Sequence, residues 1–176
     1  MNSAAIRLAV QALALLATGV WLGGILVLGA IVAPTVFREV PAPASADAMT
    51  LVFTTFDKLA MTCAAIVAVC EVVRFRIDRA DDALEKKVDT IDLVRLVIIA
   101  VAGALAVIQG AWLSPGIVTL HQNGAIRGLV PLGEKLEIIH TWSERCGKAE
   151  CLLLIVLVVL LVRATRTNHP ENPVRS

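Results

Sequence analysis

Residues 5–33 carry a single charged side chain, Arg7. At 1.5 Å of rise per residue, about 20 apolar residues cross the hydrocarbon core of a bilayer, and this stretch is longer than that. It also exceeds the roughly 7–15 apolar residues of a secretory leader, so it reads as an uncleaved anchor even though Arg7 precedes it and small residues follow at 29–34. Three further apolar runs follow: 59–73, extended outward through Phe53 and Phe56, then 93–115 and 151–162.

The fourth run is too short to cross alone. A span ending at Arg163 must reach back to about Ser143, which takes Glu144, Arg145, Lys148 and Glu150 to membrane depth, with His140 at the rim. Ionisable groups so placed are costly and face a partner helix, a cavity or a ligand.

Apolar residues make up 57% of the chain and the mean hydropathy is +0.79. The expected fold is therefore all-α: an integral membrane four-helix bundle over 1–166, with helices near 5–33, 54–75, 93–115 and 132–166 and a disordered cytoplasmic tail at 167–176. Pro34 and Pro115 are expected to close the first and third helices. Ser45 or Asp47 is placed to cap the second, and Pro131 to open the last. A continuous last helix would be near 50 Å long, so its N-terminal half either lies outside the membrane or bends, with Gly147 the weak point.

Lys and Arg are more frequent at the N-terminus, in the central loop and in the tail (Arg7, Arg74, Arg76, Arg79, Lys86, Lys87, Arg95, Arg163, Arg166, Arg175) than on the opposite side (Arg38, Lys58, Arg127, Lys135, Arg145, Lys148). The positive-inside rule then puts both termini in the cytoplasm of a multi-pass protein, as in a bacterial inner membrane. A net charge of +1 gives no reason to expect nucleic acid. The partners expected are the lipid bilayer and other membrane subunits or further copies of the chain.

Small residues at four-residue spacing let helices approach closely. Gly19, Gly23 and Gly24 form one such face, Ala60, Ala64 and Ala68 a second, and Ala102, Ala106 and Gly110 a third. Cys63, Cys70, Cys146 and Cys151 lie in or beside apolar helices and read as small packing residues rather than a disulfide framework. Glu71 stands three residues before Arg74, the spacing of a local ion pair. Asp82 and Lys86 suggest that helix continues into the central loop. Trp112 fits an interfacial belt.

Glu137, His140 and Glu144 share one face of the last helix at spacings of three and four. Two carboxylates around an imidazole, with His121 from the preceding loop, are candidate ligands for a divalent metal, and the same groups suit proton transfer. Structural hydrogen bonds and ion pairs, including Glu144 with Lys148, are the competing reading. A wider polar notch gathers His140, Ser143, Glu144, Lys148 and Glu150 with Gln109, whose amide suits an interhelical hydrogen bond. The first three helices lack histidine, which disfavours bis-histidine haem ligation, and no other cofactor is implied.

Trp21-Leu22-Gly23-Gly24, then Val32-Ala33-Pro34 and Phe37, Pro115, and Leu136 to Ile139-His140 with Ser143 resemble the small four-helix membrane proteins related to transmembrane protein 205, a family of unknown function. The resemblance covers nearly the whole chain and implies the four-helix topology and an interest in His140 and Ser143. Leu136 stands where that family has an aromatic residue, Ile139 where it has leucine, and Gly147 where it has asparagine. The chain is more distantly similar to the copper-resistance D membrane domain through its Trp-Leu-Gly-Gly stretch, without membrane histidines suited to copper.

The function expected is non-enzymatic: a membrane protein handling a small solute or metal ion, or acting in stress resistance, through an outward-facing polar notch. The alternatives are an accessory or assembly subunit of a larger membrane complex, and a metal- or haem-binding redox protein.

Overall fold

Proline has no amide hydrogen, and its ring clashes with the carbonyl four residues earlier, yet neither Pro34 nor Pro115 ends its helix. In the computed structural model, which describes residues 3–81, 90–125 and 131–167, each is carried by a π-helical turn just before it. Helix α1 (Ser3–Val27) passes through a π turn (Leu28–Val32) into α2 (Ala33–Glu39). Likewise α4 (Thr90–Ile108) passes through Gln109–Leu113 into α5 (Ser114–Gln122). The amides of Ala33 and Ser114 bond back to the carbonyls of Leu28 and Gln109, the five-residue step of a π turn. The wider turn moves the carbonyl that would meet the proline ring, and the column continues.

The other two columns are single helices, α3 (Ala44–Asp81) and α6 (Leu132–Thr167). Because α3 starts at Ala44, Ser45 and Asp47 fall inside its first turns instead of capping it. Helix α6 runs unbroken through Gly147. His121, expected in a loop, belongs to α5, and the chain turns after it at Gly124, where φ is +76° and glycine avoids a Cβ clash. The helical extension at Asp82 and Lys86 and the tail at 168–176 lie outside the described residues.

The protein is all-α, with no strand among the described residues. Helix α1 packs against α3 and α6, and α4 packs against the same two. Among the described residues the backbones of α3 and α6 do not approach closely, nor do those of α1 and α4, so these pairs lie diagonally across the bundle. Ala14, Ala17 and Trp21 of α1 fill the centre with Ala60, Cys63, Val67 and Cys70 of α3, Ile98, Ala102 and Ala106 of α4, and Leu154, Leu157 and Leu161 of α6. The spacing of three and four keeps each set on one helical face. Cys63 and Cys70 pack as small apolar residues. Ala102 and Ala106 of the small-residue face on α4 are buried, whereas on α3 Ala68 is exposed.

On α1 the close approach is narrower than the glycine spacing suggests. A Cβ at Gly19 or Gly23 would meet nothing, while one at Gly24 would run into the Phe56 ring and one at Gly110 into Met61 and Asp57. Gly24→Val is therefore expected to lose about 1–3 kcal/mol through overpacking, with Gly19→Ala near neutral. Thermal unfolding in detergent checks this, and equal melting temperatures for the two variants would contradict it.

Residues 5–39 and 90–122, stretches of 35 and 33 residues, are long and apolar enough to cross a membrane. Helices α3 and α6 carry more charge, Asp57, Lys58 and Glu71 on one and Glu144, Arg145, Lys148 and Glu150 on the other.

At the end where α1 begins and α6 finishes, the expected Glu71–Arg74 pair is part of a larger ionic network. Arg95 is 1% exposed and donates from Nε and an NH2 group to one oxygen of Glu71, at 3.0 and 2.8 Å. Arg74 bridges Glu71, Asp78 and Asp92, and Arg7 reaches Asp78 at 3.2 Å. Helices α1, α3 and α4 are thus tied at one end, joined by the Gln11 amide donating to the Leu161 carbonyl of α6.

Candidate functional site

Each column also places a polar side chain in the interior at a second level. Trp21 of α1, Asp57 of α3, Ser114 at the start of α5 and Glu150 of α6 are all buried. Asp57 and Glu150 sit on the diagonal pair of helices, both turned into the interior, and the Asp57 carboxyl acts electrostatically on that of Glu150. Asp57 is anchored by the Ser114 hydroxyl, which donates to it. The second π turn precedes Ser114 and sets its position on the column.

Glu150 is held differently. The Trp21 indole lies beside its carboxyl, but neither Trp21 Nε1 nor Glu150 Oε1 has a partner of good hydrogen-bond geometry. A polar atom buried in that way forfeits its hydration without replacement. Nearby on the same face of α6, two turns back, Ser143 accepts a hydrogen bond from the Gln109 amide at 2.5 Å, which leaves Gln109 Oε1 as another buried acceptor without a partner. Two carboxyls and an indole donor thus lie in the interior of the bundle, with the Gln109 amide oxygen about two turns of α6 away. Oxygen donors of this kind suit a proton or a hard cation.

The expected notch is only partly assembled. Gln109, Ser143 and Glu150 turn inward, but Glu144 and Lys148 pair at 2.6 Å on the outer surface, their side chains 67% and 71% exposed. That i,i+4 pair faces away from the centre, and so does Arg145, stacked on the exposed Trp142 ring. The candidate metal set is also not gathered. The His121 and His140 rings meet edge to face with centroids 6.3 Å apart, Glu137 and Glu144 point outward, and no three His, Cys, Asp or Glu side chains converge to hold a metal among the described residues. The cause is geometric: α5 packs against the half-buried face of α6 that carries Ile139 and His140, away from the two glutamates.

A family model described as a domain of unknown function (DUF4149) matches residues 16–125. The chain belongs to the DUF4149 family. The DUF4149 match takes in Trp21, Asp57, Gln109 and Ser114, and ends before Ser143 and Glu150. No curated protein and no solved structure matches the chain.

Asp57 and Ser114 are absent from the sequence-derived site. The expected second helix at 54–75 contains Asp57, but its unbroken apolar run starts at Leu59 and the acid ahead of that run carries no assigned role there, although an acid between Phe56 and Leu59 is itself a functional signal in a membrane helix. Ser114 is masked by Pro115, read there as a helix stop.

Proposed function

We propose that this DUF4149 member is a four-helix integral membrane bundle, with both termini in the cytoplasm, that binds a proton or small metal cation between Asp57 and Glu150 as part of a non-enzymatic solute-handling role. The membrane reading is supported by large apolar side chains exposed on every column, among them Leu8, Leu16, Leu51, Val69, Val101 and Leu152. In water such a surface is an aggregation hazard; in lipid it is the solvent contact. The positive-inside count supports the orientation.

The observation that carries the site is the buried Glu150 carboxyl, whose Oε1 lacks a well-formed hydrogen bond and which feels the charge of a second buried carboxyl, Asp57. Two like charges in a low-dielectric interior repel strongly and each is costly to desolvate. A single cation between them relieves both terms. By helical rise Glu150 lies about 20 Å from Arg163, and Asp57 about 25 Å from Arg74, which sets the pair toward the loop side of a bilayer.

Trp21 supplies a direct readout. With the exposed Trp112 and Trp142 replaced by phenylalanine, Trp21 is the single indole left, and its emission is expected to change on titrating pH or adding sodium, potassium or magnesium ions. Glu150→Gln is expected to abolish that response. Emission that ignores both pH and all three cations would overturn the reading.

A further inference from the structure

A cleft of about 300 Å³ runs between α3 and α5 at the loop end, lined by Asp47, Thr50, Leu51, Thr54, Val118, His121 and Gln122. Along α3 its polar residues fall at 47, 50 and 54, and the next position of that face is Asp57. Along α5 the lining runs from His121 through Val118, and the next position of that face is Ser114. Both helices therefore lead, one turn or about 5 Å beyond the lining of the cleft, to the Asp57–Ser114 hydrogen bond. Burial follows the same order: Asp47 is exposed, Thr50 and Thr54 are half-buried, and Asp57 is buried.

The volume holds several waters at about 30 Å³ each. The lining includes one acidic side chain and no lysine or arginine. Its hydroxyl and amide oxygens can replace a cation's hydration, and the carboxylate at the mouth disfavours anions. The second, independent observation lies deeper in the bundle, on α6, where Glu150 is 4% exposed, has no well-formed hydrogen bond at Oε1 and feels the charge of Asp57.

We propose that the α3–α5 cleft is the aqueous entrance by which small cations reach Asp57 from the loop side. This rests on the reading of Asp57 and Glu150 as a cation site, and it adds the route and the charge class admitted. Closure at the opposite end comes from the Glu71–Arg95–Arg74 network, which seals α3 and α4 with paired charges. Access is thus one-sided.

The test is thiol accessibility in proteoliposomes, with all four native cysteines replaced by alanine. Single cysteines are introduced at Thr50 and Thr54, which line the cleft, and at Thr55 and Thr62, which face outward. Methanethiosulfonates react with the hydrated thiolate. Thr50→Cys and Thr54→Cys are expected to react with the trimethylammonium reagent more than about tenfold faster than Thr55→Cys and Thr62→Cys. They should also react faster with it than with the sulfonate reagent, a preference that Asp47→Asn reduces.

A rate at Thr54→Cys no higher than at Thr55→Cys would overturn the entrance, and equal rates with the two reagents would overturn its cation selectivity. The same labelling in a Glu150→Gln background separates the two proposals: the cleft pattern persists there whether or not Glu150 binds a cation, while the Trp21 titration reports the inner site alone.

Discussion

Arg95→Ala is expected to cost about 3–5 kcal/mol of stability, the loss typical of removing one partner from a buried ion pair. For a protein whose whole margin is about 5–15 kcal/mol, that is enough to lower its yield in detergent sharply. Arg95 and Glu71 are 1% and 3% exposed, so the substitution leaves a buried carboxylate held only by Arg74, whose contacts to Glu71 are the longer ones at 3.2 and 3.3 Å. The penalty is that of an uncompensated charge, not of the pair's own attraction. Replacing both residues by methionine is accordingly expected to recover most of the loss, because desolvation of the two ions disappears together with their attraction. Reversible unfolding followed by circular dichroism in mild detergent measures both variants. A single variant within about 1 kcal/mol of the parent would show that water or Arg74 already satisfies Glu71.

The same contrast between paired and unpaired charge explains what the sequence made legible. Apolar runs announce helices because hydrophobicity is additive along the chain, and the all-α fold with two span-length apolar stretches follows from them. The Glu71–Arg74 pair was visible because it is local, three residues apart on one helix. Its extension to Arg95, Asp92 and Arg7 was not, since it depends on which helices become neighbours. Arg95, counted in the sequence as a loop cation, is among the most buried side chains. Pro34 and Pro115 misled for a related reason: proline propensity describes an isolated α-helix, whereas here a π turn absorbs the clash while packing holds the column together. The Glu137, His140 and Glu144 spacing puts three residues on one side of α6, but helical spacing does not say which neighbour covers them. Asp57 lies within the expected second helix at 54–75 but just ahead of its apolar run at 59–73, where one acid beside a lysine looks like an ordinary flanking charge. Its significance comes from Glu150 on the diagonal helix, a relation that no one-dimensional pattern contains.

Glu150→Leu is expected to raise stability by about 1–3 kcal/mol while abolishing the Trp21 response to cations and pH. A buried carboxyl with an oxygen lacking any partner carries a desolvation penalty of that order, and leucine of similar bulk removes it while packing against the Leu154 and Leu157 face of α6. Asp57→Leu is expected to act in the opposite direction. Asp57 accepts from Ser114, and its Cβ lies under Gly110, so the substitution strands a buried hydroxyl and crowds a close helix contact. Unequal signs at two acids of similar burial would mean that Asp57 is built into the bundle and that Glu150 is retained at the expense of stability, which is the signature of a group kept for binding. If Glu150→Leu instead destabilises as much as Arg95→Ala, Glu150 is a structural anchor and the cation site falls. Glu150→Gln decides between charge and shape: it keeps the volume and the indole contact, so a response that survives it belongs to packing, and one that vanishes with it belongs to the carboxylate.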